Sequence, residues 1–240
     1  MRYAYVGDKS DYIAKSTHHL PYASPTPLKD QVIMNAVCRV LAVGAHPDDI
    51  ELGCGGTLAK LISQGAVVRA VVLTDGRQGA DVEQFNRVEE TTRALQHLGV
   101  EDIHIAEGFP DTYLGNRLQD LIKYLEHHVK DFDPNVVYTM YDQDRHQDHR
   151  AVYDASMVAF RFVPKLYGYE TPSCWPQFIP QTHIDVTDFF QKKVEALQMH
   201  HSQADRDYTQ PEDLSIAAQF RGRQVKRKYC EGFVVYREVN

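Results

Sequence analysis

The sequence predicts an α/β fold: a Rossmann-like, open, mostly parallel sheet with helices on both faces, built as a single domain. Three observations carry this. Short runs rich in β-branched residues alternate at least four times with stretches of helical periodicity. Those runs are apolar at consecutive positions, as strands buried on both faces are. The chain also lacks the eight units that a closed (β/α)8 barrel needs.

The elements follow in order. Val37–Val43 reads as a buried strand that ends in a polar turn, His46-Pro47-Asp48-Asp49. Leu58, Leu61 and Ile62 keep helical spacing, and Gly65 stands where a terminating glycine belongs. Val67–Leu73 is a second strand. Phe85, Val88, Thr92 and Leu95 form a helical stripe ending before Gly99, and Ile103–Ala106 is a short third strand. Leu118, Leu121, Ile122, Leu125 and Val129 mark an amphipathic helix. Val136–Met140 is a fourth strand, followed by helical spacing from Val152 to Phe162. Beyond Pro164 the reading is two further strands at Tyr167–Glu170 and Thr182–Val186. A helix capped by Thr187-Asp188, another opened by Pro211, and a terminal strand at Phe233–Val239 complete it. Residues 37–240 therefore form the domain. Residues 1–36, with Tyr3, Tyr5, Tyr12, Tyr22 and His18-His19, show no period and read as an N-terminal extension. A tyrosine-rich subunit-contact arm is the alternative.

Composition narrows the classes. The chain has 240 residues, 43% hydrophobic and 25% charged, the balance of a soluble globular protein. A formal net charge of −7 argues against a nucleic-acid partner. No apolar run approaches the length of a membrane helix, so no membrane partner is expected. The first residues lack the apolar core of a secretory signal. Four scattered cysteines, without a C-x-x-C pair, fit reduced thiols and a cytoplasmic location.

Twelve histidines are more than packing requires, and position separates them. In an open α/β sheet, ligands bind at the carboxyl ends of the strands. Two polar clusters fall there: His46-Pro47-Asp48-Asp49 after the first strand and Asp142–His149 after the fourth. His46 and Asp49 can converge while Asp48 points elsewhere, and His146 and His149 share one side of a helical turn. Two histidines and one carboxylate around a single ion leave a position open for water, the catalytic form of a zinc site. The plain alternative is that Asp48 and Asp49 cap a helix and Asp142–His149 is a solvated loop. Gly53-Cys54-Gly55-Gly56 lacks dinucleotide-binding spacing, and its glycines read as close helix–sheet approach. Arg221, Arg223, Lys226, Arg227 and Lys228 read as a solvated helix face, with an anionic substrate group as the alternative.

Ala45–Leu58 (AHPDDIELGCGGTL) resembles the signature of the PIG-L/LmbE-like superfamily of zinc-dependent N-deacetylases, and His146-Gln147-Asp148-His149 resembles its H-x-D-H. Arg87-x-x-Glu90, Gly108-Phe109-Pro110-Asp111, Lys193…His200-x-Ser202-Gln203 and Arg221-Gly222…Glu231-Gly232-Phe233 follow in the family's order, so the resemblance spans about residues 37–238. It implies that His46, Asp49 and His149 ligate one Zn2+, with Fe2+ or another divalent metal as alternatives. Asp48 would be the general base on the attacking water. His146 would be a cationic oxyanion stabiliser, and Asp148 would fix a histidine tautomer. Arg87 and Asp111 would hold the sugar. Many members place Glu directly after the two aspartates, whereas here Ile50 precedes Glu51, which leaves that glutamate's role open.

The implied activity is hydrolytic removal of the N-acetyl group from a small N-acetylated amino sugar or glycoside of the N-acetylglucosamine type, and a homo-oligomer is compatible with it. The readings weighed against it are an amidase cleaving another amide of a sugar conjugate, a non-haem iron oxygenase, and a non-catalytic carbohydrate-binding protein.

Overall fold

A computed structural model describes residues 37–79 and 84–239. The expected extension over residues 1–36 lies outside them. Seven strands form one sheet in the order β3-β2-β1-β4-β5-β7-β6. β1 (Arg39–Gly44), β2 (Val67–Val72), β3 (Asp102–Ile105), β4 (Val136–Met140) and β5 (Lys165–Tyr169) pair in parallel. β7 (Cys230–Glu238) runs antiparallel between β5 and β6 (Thr182–Asp185). The expected mostly parallel sheet is therefore present.

The chain winds outward through α1 (Asp49–Ser63) to β2 and through α2 (Arg87–Leu98) to β3. It then returns past β1, so that α3 (Leu118–Phe132) and α4 (Gln147–Ala159) belong to crossovers running the other way. Right-handed crossovers put the two sets of helices on opposite faces. In agreement, α1 and α2 pack with each other and with α5 (Phe190–Leu197), while α3 packs on α4. α6 (Pro211–Gln224) lies against β7. The reversal falls between β1 and β4, which places the crevice where those two strands end.

The core follows the apolar runs. Val40, Leu41, Ala42 and Val43 of β1 are fully buried, as are Val71, Val72, Val137 and Leu166 on its neighbours. Tyr169 at the end of β5 is also buried, and its hydroxyl donates to the Val43 carbonyl at 2.7 Å. The Tyr169 ring explains Gly53: a Cβ there would sit 2.0 Å from the ring, so only glycine lets α1 approach this closely. Gly65 follows α1 with φ +91°, as its position implied.

Two local expectations fail. Phe162 lies beyond α4 and is 86% exposed, because the helix has already ended at Ala159. Thr187-Asp188 does not cap α5. The Thr187 hydroxyl donates instead to Asp185, and the helix starts after Phe189 without a side-chain cap.

A buried ion pair braces α1 from the opposite side of the chain's sequence. Lys193 Nζ lies 2.6 Å from Glu231 and also donates to the Leu52 carbonyl at 2.6 Å. Glu231 accepts the backbone N–H groups of Gly56 and Thr57 at 3.0 and 2.7 Å. The pair thus meets backbone polar groups in the middle of a glycine-rich helix.

Candidate active site

The turn after β1 is shaped by its own residues. The backbone N–H of His46 donates to Asp49 Oδ2 at 2.7 Å, closing the turn on itself. Pro47 lies in that turn, and α1 begins at Asp49. Asp48 takes φ 103°, a left-handed conformation that costs a non-glycine residue about 1–3 kcal/mol and is concentrated at functional sites. It stands at the helix N-cap, yet its side chain makes no capping bond. The plain capping reading of Asp48 is thereby removed. Its carboxylate meets Arg87 Nη2 at 3.2 Å instead.

The second cluster follows β4. His146 is the N-cap of α4, and its Nδ1 accepts the Asp148 backbone N–H at 3.2 Å. The His146 and His149 rings stack with centroids 4.7 Å apart, and His46 approaches His146 at 4.6 Å. Residues a hundred positions apart in sequence therefore meet at the sheet's switch point. His46, Asp48, Asp49, Arg87, Asp111, His146 and His149 all line one cavity of about 340 Å³. Asp148 lies just behind it, fully buried.

Hydrogen bonding fixes which nitrogens face the cavity. His149 Nδ1 donates to Asp144 Oδ2 at 2.8 Å, leaving Nε2 3.3 Å from Asp49 Oδ1. His46 Nε2 lies 3.2 Å from both Asp148 and Asp111, leaving Nδ1 3.4 Å from Asp49 Oδ2. One carboxylate thus meets a ring nitrogen of each histidine, an acidic position between two rings that could also hold a cation. The two contacts fall on the two different oxygens of Asp49, so this one side chain joins both rings. Each histidine is also backed by a carboxylate, the usual support for a metal-bound imidazole. The three rings of His46, His146 and His149 also bring nitrogens within 4.8 Å of one another. However, His146 Nδ1 is engaged by a backbone N–H, and only Asp49 touches both other histidines. His46, Asp111 and Asp148 also bring ligand atoms within 4.8 Å of one another, and His46, Asp49 and His149 are a further set that could hold an ion.

Electrostatics agree with a cation site. Asp48, Asp49, Asp111, Asp144 and Asp148 are all buried here. Burial works against the His149 cation, yet Asp49 and Asp144 outweigh it and raise the ring to about 9. His46 is likewise raised by Asp111, Asp148 and Asp49 against the same desolvation. Burial pushes the Asp48 carboxyl up to about 6, with Arg87 opposing.

His146, expected as a cationic oxyanion stabiliser, lines the cavity beside the other two rings. Burial lowers its pKa, and the charges of His46 and His149 lower it further. With Nδ1 accepting from Asp148, the ring is assigned as a neutral imidazole whose Nε2–H is the donor. Arg87 and Asp111, expected to hold the sugar, are themselves engaged within the protein. Arg87 donates to the carbonyls of Pro47 and Gly76 at 2.6 and 2.9 Å, and Asp111 accepts from Gln78 N at 2.7 Å while touching His46. Glu51, whose role was open, accepts from the Thr91 hydroxyl at 2.7 Å and lies 3.0 Å from His200 Nε2.

Sequence reasoning gave Asp144 no role. Besides His149, it accepts from His146 N at 2.8 Å and from the Thr171 hydroxyl at 2.6 Å. Its place five residues before His149, in an acidic turn after a strand, was the available signal. Thr171 comes from the loop after β5 and left none.

Fold and site together define a doubly wound α/β protein with a metal-competent cluster at its switch point. The family described as PIG-L: GlcNAc-PI de-N-acetylase matches residues 41–160. The chain is 48% identical over 170 residues to the uncharacterized deacetylase YaiS of Escherichia coli (strain K12), covering 68% of this chain and 90% of that protein. It is 29% identical to the diacetylchitobiose deacetylase of Thermococcus kodakarensis, covering 82% and 83% of the two chains. Among solved structures, the conserved protein TT1542 from Thermus thermophilus superimposes with a TM-score of 0.73 at 28% identity, over 84% of this chain and 96% of that one. This chain belongs to the PIG-L family.

Proposed function

We propose that the protein is a zinc-dependent N-deacetylase that hydrolyses the acetamide of a small N-acetylated amino sugar or its glycoside. The observation that carries this is Asp48, a buried, strained and uncapping carboxylate placed beside the His46–Asp49–His149 cluster. The similarity to a diacetylchitobiose deacetylase supports the substrate class.

His46, Asp49 and His149 would hold the metal, which when bound acidifies water and polarises a carbonyl. Asp48 accepts the proton of the attacking water as the oxygen adds to the acetamide carbon. Arg87 holds that carboxylate in place. The Nε2–H of His146 donates to the carbonyl oxygen as negative charge develops there. The C–N bond then breaks, the proton on Asp48 passes to the leaving nitrogen, and acetate and the free amine result. Arg87 and Asp111 border the sugar while fixing Asp48 and His46. The free thiols Cys38, Cys54, Cys174 and Cys230 fit a reducing, cytoplasmic setting.

The test is acetate release from N-acetylglucosamine and its simple glycosides, wild type beside Asp48→Asn, with metal content measured on both. The variant is expected to retain its metal and lose roughly 10²-fold or more in kcat. Equal turnover by the two proteins would overturn the assignment of the base.

A further inference from the structure

A second cavity of about 410 Å³ adjoins the first. The two meet along Leu52, Thr171, Pro172 and Tyr208, each of which lines both. The second cavity runs between the segment after β5 and helix α6, and its walls are Trp175, Phe178, Leu214, Ala217 and Ala218.

Its cationic lining groups are already matched. Arg221 makes two bonds to the Glu170 carboxylate, at 2.8 and 2.5 Å, and its guanidinium lies within 5.3 and 5.0 Å of the Phe178 and Phe220 ring centres. Lys193 is paired with Glu231. Asp213, also on the wall, adds a negative charge. A phosphate or carboxylate would find no free cation among the described residues that line this cavity, where Arg221 is the one member of the basic segment. Trp175, on the wall, is 50% exposed, with the Arg145 guanidinium 6.0 Å from its ring centre.

We infer that this cavity is an aglycone subsite, and that the substrate is a glycoside of an N-acetylated amino sugar whose aglycone is neutral and apolar. The sugar's acetamide occupies the first cavity while an alkyl or aryl group crosses Leu52 and Pro172 into the second. This rests on the deacetylase reading, since it needs a substrate anchored at His46 and His149. The walls then select the aglycone by apolar burial, with Trp175 and Phe178 as its principal contacts.

The experiment has a readout independent of turnover, because Trp175 is the chain's single tryptophan. The metal-loaded protein is titrated with the methyl, phenyl and octyl glycosides of N-acetylglucosamine below micellar concentration, following Trp175 emission and acetate release. The phenyl or octyl compound is expected to shift the emission saturably and to exceed the methyl compound in kcat/KM by roughly tenfold or more, the effect of burying about two methylene groups. Ala217→Phe, at an exposed position of α6, should fill the cavity, abolish the shift and bring the ratio near one. Phe162→Ala, outside both cavities, should preserve the ratio. Acetate release with no preference and no Trp175 shift would overturn the subsite and leave the deacetylase standing. A saturable shift with no acetate from any glycoside would overturn the deacetylase and leave the subsite standing.

Discussion

His149 Nδ1 donates to Asp144 Oδ2 at 2.8 Å, at the end of β4 and beneath the cavity floor. The bond fixes the ring's tautomer and aims the other nitrogen at Asp49. Asp144 itself is held well below the ordinary carboxylate range: burial opposes its charge, but the His149 hydrogen bond and charge outweigh it. Asp144→Asn keeps the shape and removes the charge. It is expected to weaken zinc binding by roughly 10- to 100-fold without removing a ligand. Competition against a chromogenic chelator measures this, and unchanged affinity would show that Asp144 does not support the ligand.

Asp48 and Arg87 set an activity limb. A base must be ionised to act, and burial raises Asp48 to about 6 while Arg87 restrains the rise. In kcat/KM plotted against pH, the acidic limb should therefore fall near pH 6, with activity lost below it. Arg87→Met removes the restraint and should move that limb to higher pH. A limb that stays in place in the variant would rule out this coupling.

The Lys193–Glu231 pair should be costly to break. Lys193→Met leaves a buried carboxylate unpaired and is expected to destabilise the fold by about 3 kcal/mol in urea unfolding. Adding Glu231→Gln to it should cost less than the sum of the two single changes, because the stranded charge disappears. Strict additivity would show that the two side chains act separately.

His128 makes the fold sensitive to acid. Both of its ring nitrogens are buried without a partner, among His104, Tyr124 and His127. Burial first, then the charges of His104, Arg69 and His127, lower it from 6.5 to about 4. Between those values the unfolded chain binds the proton and the native chain does not. Stability should therefore drop as pH falls from 6.5 toward 4, by roughly 2 kcal/mol, and level off below. His128→Phe should flatten this part of the profile. An unchanged slope in thermal unfolding at pH 6.5, 5.5 and 4.5 would assign the acid sensitivity to other groups.

The sequence by itself determined the α/β class, the strands of the parallel half and the two polar clusters. Apolar β-branched runs report burial on both faces directly, and strand ends are where such a sheet leaves room for ligands. His46 and Asp49 lie in the segment that follows β1, and His146 and His149 in the one that follows β4, which made both clusters legible. Tertiary structure decided what depends on contacts between distant segments. It assigned Asp144 its part, since Thr171 and His149 reach it from different elements. It engaged His146 Nδ1 with the Asp148 backbone N–H and set the ring against those of His46 and His149. It paired Arg221 with Glu170 in a cavity wall, while Arg223, Lys226, Arg227 and Lys228 stay exposed. Charge counts along a chain do not reveal which cations are already neutralised. That depends on side-chain atoms a few ångströms apart, and folding alone sets those distances.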